Sequence, residues 1–274
     1  MDFLLECIGF PPDYQLQDLI ETVRSEGEPI PWRGPSGEHL RRALAGGLEV
    51  RAEREEGTEH WSVWPYFAVD HRLRLATFEA RRVPDSPFDR LLVGVANPAL
   101  PREAGVGYED EAPPMAEELD EHEFLLSAYV TDARRLPRRL PVGHVLALSV
   151  AGFAIDVSYV GPNEGAHEPG ILERPRGAMF RPLGGEAGPG GCMEVSLRVR
   201  SLRHLNNPLT GVQVEVIEAD APGRPMSLFL SRWQLEEQGL PAPRPGWRVE
   251  GTFLFQGRIA GGLPRPKRPV RSFG

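Results

Sequence analysis

HLNNPLTGVQVEV, residues 204–216, sits where the chain's most regular pattern turns back on itself. Before it, Val195, Leu197 and Val199 alternate with Glu194, Ser196, Arg198 and Arg200. After it, Val212, Val214 and Val216 repeat the alternation. A period of two places one apolar and one solvated face on an extended chain, so two antiparallel strands are predicted. Asn206, Asn207 and Pro208 supply the turn, because asparagine tolerates left-handed geometry and proline fixes φ; Gly211 then releases the chain. Turn chemistry accounts for each of these residues without a ligand.

Working outward, MSLFLS (226–231) is a further strand. Ser231 and Gln234 have capping-box spacing for a short helix, which Gly239 is placed to end. WRVEGTFLFQGRI (247–259) closes the series, with Val249, Gly251, Phe253 and Phe255 on one face. Three strands, a short helix and a strand fit a small barrel of the oligonucleotide/oligosaccharide-binding (OB) type. NNPLTG followed by PGWRVEGTFLFQGRI, within about 193–260, resembles the closing region of some uncharacterised bacterial proteins with an OB-like end domain. That resemblance implies a barrel-like fold and brings no activity with it.

Upstream, FLLECIGF (3–10) reads as a buried strand broken by Pro11-Pro12. Leu16, Leu19, Ile20 and Val23 form one helical stripe, with Asp13 as a candidate cap. Residues 36–50 fit either a short helix or a strand. From Leu48 the period is two, through HWSVWPYFAV (60–69), the Leu73/Leu75 pair and RLLVGVA (90–96), with the short turns of an antiparallel meander. FLLSAYV (124–130) is a strand, and 144–160 is expected to be two strands turning at Ala151-Gly152.

The predicted class is therefore α+β and β-rich, with mostly antiparallel sheets and few helices. The 30 glycines and 28 prolines support it, since both interrupt helices. The expected organisation is an N-terminal α+β subdomain (1–97), an acidic proline-containing linker (98–123), a hairpin region (124–160), a Gly/Pro-rich loop (161–191), an OB-like subdomain (192–262) and a basic tail (263–274). Two subdomains would then divide within 98–123 or 161–191.

A formal charge of −8 opposes generic binding to phosphate backbones. MDFLLECIGFPPDY (1–14) has an acid at position 2 and only a short apolar run, and no stretch approaches the length of a membrane helix, so a cytoplasmic protein without membrane contact is expected. Cys7 and Cys192 are too few for a disulfide framework. GGEAGPGGC (184–192) lacks the Gly-Lys-Ser/Thr ending of a phosphate loop, and the seven histidines are scattered outside any metal-ligand spacing, so no cofactor and no metal are predicted. Ser149 in ALSVAG continues as strand, unlike a nucleophile elbow. Trp61, Trp64, Tyr66 and Phe67 read as core aromatics.

Two basic clusters remain as candidate partner-binding residues: Arg134, Arg135, Arg138 and Arg139, and, in the tail, Arg265, Lys267, Arg268 and Arg271. Guanidinium forks suit carboxylate or phosphate partners. Residues 109–123, with eight acids and no lysine or arginine, are a possible internal complement, in the same chain or a second copy. The leading expectation is a non-enzymatic interaction or assembly module for a protein partner or self-association. The alternatives are a nucleic-acid binder using an OB-like face and a hydrolase with dispersed residues.

Overall fold

The computed structural model describes residues 2–30, 37–83, 86–98, 119–131, 135–137, 139–161, 178–183 and 191–263. The linker, loop and tail residues 99–118, 162–177, 184–190 and 264–274 lie outside this set.

The first segment is not the expected strand. Asp2–Ile8 form a 3-10 helix, in which Leu4, Leu5, Cys7 and Ile8 are all buried. A run that is apolar on every side needs cover on every side. It finds that cover by lodging against three later strands rather than by joining a sheet. Helix α1 (Leu16–Glu26) buries the predicted stripe through Leu19, Ile20 and Val23. Its N-cap is Gln15 without a side-chain capping bond; Asp13 is not the cap, and its carbonyl accepts from Gln15 Nε2.

Four antiparallel strands follow: β1 (Glu28–Pro29), β2 (Gly37–Ala43), β3 (Leu48–Glu55) and β4 (Ser62–Phe67). The ambiguous segment is thus strand. β3 is buried on both faces. Leu48, Val50 and Ala52 join the main apolar core, whereas Glu49, Arg51 and Glu53 are buried charges.

The rest of the chain builds the large sheet from β5 (Leu73–Val83), β6 (Ser86–Ala96), β7 (Phe124–Val130), β8 (His144–Gly161), β9 (Met179–Pro182), β10 (Cys192–Asn206), β11 (Gln213–Ala219), β12 (Met226–Ser231) and β13 (Arg248–Gly261). Its pairings close two circuits. In the first, β5, β6 and β7 form a meander, β7 runs parallel to β13, and β8 joins β13 back to β5. In the second, β10, β11 and β12 form a meander, β12 runs parallel to β8, and β13 joins β8 back to β10. Each meander therefore borrows the long strand that ends the other.

The correspondence extends to register. Exchanging the two four-strand units β5–β8 and β10–β13 maps the pair Leu91↔Tyr129 onto Val216↔Phe229, and Tyr129↔Gln256 onto Phe229↔Phe153. Gly152↔Phe255 maps onto itself. The same bulge interrupts both meanders, at Phe78 between Thr77 and Glu79 and at Arg200 between Val199 and Ser201.

β8 is one continuous strand, where a turn at Ala151-Gly152 was expected. Its first half serves one circuit and its second half the other, so both ends keep ladder partners and nothing forces a turn. Gly152 is needed for closeness instead: a Cβ there would come within 2.7 Å of Leu228 Cδ2 and 3.0 Å of Phe255 Cε1.

The Asn-Pro turn links β10 to β11 as predicted and also anchors the N-terminal segment. Asn207 is fully buried, donates from Nδ2 to the Ile8 carbonyl at 2.8 Å and accepts the Leu209 amide at 2.9 Å. The Thr210 hydroxyl donates to the Gly9 carbonyl at 2.6 Å. Helix α2 (Arg232–Glu237), between β12 and β13, has both bonds of the predicted Ser231–Gln234 capping box. No helix among the described residues is long and apolar enough to cross a membrane.

Candidate functional site

The site forms at the end of the second circuit, around the bulge at Arg200. The turn Arg244–Trp247 closes through the Trp247 amide on the Arg244 carbonyl at 3.0 Å, and Gly246 supplies its left-handed residue at φ +86°. Gly246 donates to the Val199 carbonyl at 2.8 Å, and Val199 donates to the Trp247 carbonyl at 2.7 Å. That clasp holds the start of β13 against β10, while the Asp220 amide bonds the Arg198 carbonyl at 2.9 Å. Between them opens a shallow furrow of about 580 Å³ lined by Arg198, Val199, Arg200, Asp220, Pro245 and Gly246. A second concavity of about 410 Å³ shares Arg200 and Asp220 and adds His122, Gly223 and Arg224.

Three exposed arginines thus border two adjoining concavities, with Arg200 and Asp220 common to both. Arg200 pairs with Glu218 at 3.6 Å, and Glu218 lies 3.9 Å from His71 Nε2. Arg224 is oriented by donating to the Arg72 carbonyl at 3.1 Å. Its loop is held by Asn97, at φ +51°, whose Nδ2 donates to the Pro222 carbonyl at 2.9 Å. At the rim, the Arg244 guanidinium lies over the half-buried Trp247 ring, 5.2 Å from its centroid.

The first circuit provides an internal control. Its equivalent turn, 141–144, closes with the His144 amide on the Pro141 carbonyl at 3.1 Å; Gly143, at φ +74°, donates to the Thr77 carbonyl at 2.8 Å. Glycine therefore recurs where the clasp demands it. Strand register places Ala76, Phe78 and Val95 where the second circuit has Arg198, Arg200 and Asp220. The same backbone pairing is built there without those charges.

Of the predicted basic residues, Arg135 donates to the Ile259 carbonyl at 3.0 Å and Arg139 is exposed. Arg134, Arg138, Arg265, Lys267, Arg268 and Arg271 lie outside the described residues. Sequence reasoning passed over Arg198, Arg200, Asp220 and Arg224. Arg198 and Arg200 stand at ordinary outward positions of an alternating strand, and only the bulge and the loops brought beside them make a concavity.

Other chemically equipped groups serve different ends. Arg51, fully buried on β3, donates to Asp89 Oδ2 at 2.5 Å and Oδ1 at 3.2 Å, and to Glu53 Oε2 at 2.7 Å. Burial lowers its pKa, but the Asp89 and Glu53 charges outweigh that and raise it overall. His39, beside Glu53, is pushed down to about 3 by burial and then by Arg51. Burial pushes the Cys192 thiol up to about 11 and the Cys7 thiol well above its usual range; both are free. His204 Nδ1 meets the buried carboxylate of Glu215, but His204 is exposed on the β10–β11 hairpin, away from the furrow lining. Ser149 lies mid-strand in β8, and Trp61, Trp64, Tyr66 and Phe67 are buried. Among the described residues no three histidine, cysteine or carboxylate side chains cluster as metal ligands.

Comparison with known proteins returned no matching family model, no matching curated protein and no matching solved structure.

Proposed function

We propose that the protein is a non-enzymatic interaction module that holds a charged segment of a partner protein in the furrow bordered by Arg198, Arg200 and Arg224. The observation that carries this reading is the internal control: equivalent positions in the first circuit complete the same bulge and turn with Ala76, Phe78 and Val95. Guanidinium groups that the backbone can do without, gathered at the edge of an open depression, favour recognition of carboxylate-bearing side chains.

We read each circuit as an OB-like barrel, with a meander whose third strand runs parallel to the borrowed long strand. Such barrels bind oligonucleotides on the face of their second and third strands. Here the chain itself occupies those faces. Arg51 and Trp64 of the four-stranded sheet reach Asp89 on β6 and Tyr129 on β7. The N-terminal 3-10 helix and α2 lie against β12. Together with the net charge of −8, this ranks a protein partner above a nucleic acid.

The test is co-purification of the full chain from its native cell under nuclease treatment, beside a triple Arg198→Ala, Arg200→Ala, Arg224→Ala variant. A stoichiometric protein that survives nuclease and is lost from the variant supports the reading. Recovery of nucleic acid instead, released by higher salt, replaces it with the nucleic-acid alternative.

A further inference from the structure

The hairpin that opens each meander offers a second comparison, away from the furrow. Exchange of the units maps Arg82↔Arg90, on β5 and β6, onto His204↔Glu215, on β10 and β11. In the second circuit the facing side chains are complementary: His204 Nδ1 meets the buried Glu215 carboxylate, and Gln213 Nε2 donates to Glu215 Oε1 at 3.3 Å. In the first circuit both are guanidiniums. Directly opposed residues of a ladder have Cβ atoms about 5 Å apart, and like charges placed so repel.

No carboxylate among the described residues relieves them. Glu79 is bonded to Arg81. Asp89 adjoins Arg90 in the chain but stands on the other face of β6, where Arg51 holds it. Arg90 is half-buried and donates to the neutral carbonyl of Pro137 at 3.0 Å. Burial and then the Arg82 charge lower its pKa, the behaviour of a cation facing another cation. Arg82 is exposed, and so is Arg139, two residues beyond the carbonyl that Arg90 holds and one of the predicted partner-binding residues.

We propose that Arg82 and Arg90 bind a phosphate monoester, carried by a phosphorylated side chain of a polypeptide or by a small phosphorylated molecule. A carboxylate brings one negative charge to two cations. A phosphate monoester brings about −1.5 to −2 and three acceptor oxygens, enough to engage both guanidinium forks. A nucleic acid brings singly charged phosphodiesters in a row, and the chain's net charge of −8 opposes a row more than it opposes one group. The site shares no residue with the furrow and does not depend on what the furrow binds.

The experiment uses the full chain and three fluorescent probes of matched length, followed by anisotropy at low and physiological salt. They are a peptide with one central phosphoserine, the same peptide with glutamate in its place, and a single-stranded oligonucleotide. The phosphoserine peptide is expected to bind roughly tenfold more tightly than the glutamate one. Arg82→Gln, at an exposed position, should remove most of that difference. Arg82→His with Arg90→Glu installs the pair of the second circuit and should abolish it. The triple Arg198→Ala, Arg200→Ala, Arg224→Ala variant should bind the phosphoserine peptide as the unmodified chain does. Unlabelled O-phosphoserine separates the two sources, and either result supports the proposal: competition at concentrations like the peptide's assigns the site to a small molecule, and weaker competition assigns it to a polypeptide. Equal binding of the two peptides, or tighter binding of the oligonucleotide, overturns the proposal. So does a phosphoserine preference that survives both changes at Arg82, or one lost in the triple furrow variant. Whether the furrow holds a protein partner is decided separately, by the co-purification.

Discussion

Replacing Asp89 by alanine removes the main partner of a guanidinium that has no access to water. Arg51 and Asp89 side chains are both fully buried, joined by bonds of 2.5 and 3.2 Å, and Arg51 is further enclosed by Trp64 and Tyr66, whose centroids lie 5.1 and 5.8 Å from its Cζ. Breaking a buried pair by deleting one partner costs about 3–5 kcal/mol, because the remaining charge stays desolvated. Glu53 still accepts from Arg51 at 2.7 Å, which places the expected cost near the lower end, about 3 kcal/mol. For a chain of this size that corresponds to a fall in Tm of roughly 6–12 °C. Removing both charges, as Arg51→Met with Asp89→Ala, should cost less than the sum of the single changes, since neither change then strands the other's charge; Glu53 loses its bond from Arg51 in both Arg51 variants, so that cost cancels from the coupling. Urea unfolding of the four proteins measures this cycle. A single Asp89→Ala cost below about 1 kcal/mol, or strict additivity in the cycle, refutes the claim that these charges fasten the four-stranded sheet to the first circuit.

His39 should make the protein acid-sensitive. Its folded pKa of about 3 lies below the usual 6.5, so between those values the unfolded chain binds more protons and stability falls as pH falls. The loss is about 2 kcal/mol by pH 5, and a His39→Gln variant should show a smaller change in urea midpoint between pH 7 and pH 5. Both thiols should resist a thiol reagent at pH 8 in the native protein and react on unfolding, since burial raises both pKa values; fast labelling before unfolding would contradict that burial. Ser231→Ala breaks the capping box and should cost about 1 kcal/mol by urea unfolding. Asn207→Ala deletes two buried bonds and should cost about 1–3 kcal/mol, with faster amide exchange in residues 4–9, by hydrogen-exchange mass spectrometry.

Much of the fold was legible where local chemistry dictates it. The period of two located most strands, and Ser231 with Gln234 located a helix start, because alternation and capping are properties of neighbouring residues. The errors came where distant parts of the chain decide. FLLECIGF has the apolar content of a strand, but its environment is the surface of β12, β8 and β4, which only the assembled fold supplies. SVAGFA has the small residues of a turn, but Gly152 is small because Leu228 and Phe255 press against it. Asn207 was read correctly as a turn residue, yet its buried bond to Ile8 spans 199 residues of the chain and leaves no local trace.

The least legible feature is the one that locates the candidate site. The two four-strand units share registers, a bulge and a glycine clasp, but few residues: Phe78 stands for Arg200, Val95 for Asp220 and Tyr129 for Phe229. Repetition of pairing without repetition of sequence is what alternation permits, since a strand needs only an apolar residue at every second position and is indifferent to what stands between. The outward positions are therefore free to diverge. Charges at 198, 200 and 220 that have no counterpart at 76, 78 and 95 record a difference that the shared pairing did not impose. In the sequence, Arg198 and Arg200 are two polar entries in an alternating run. Set against Ala76 and Phe78 across the exchange, they become the residues whose chemistry folding leaves unexplained, and a partner's charge is the explanation that their exposure and arrangement favour.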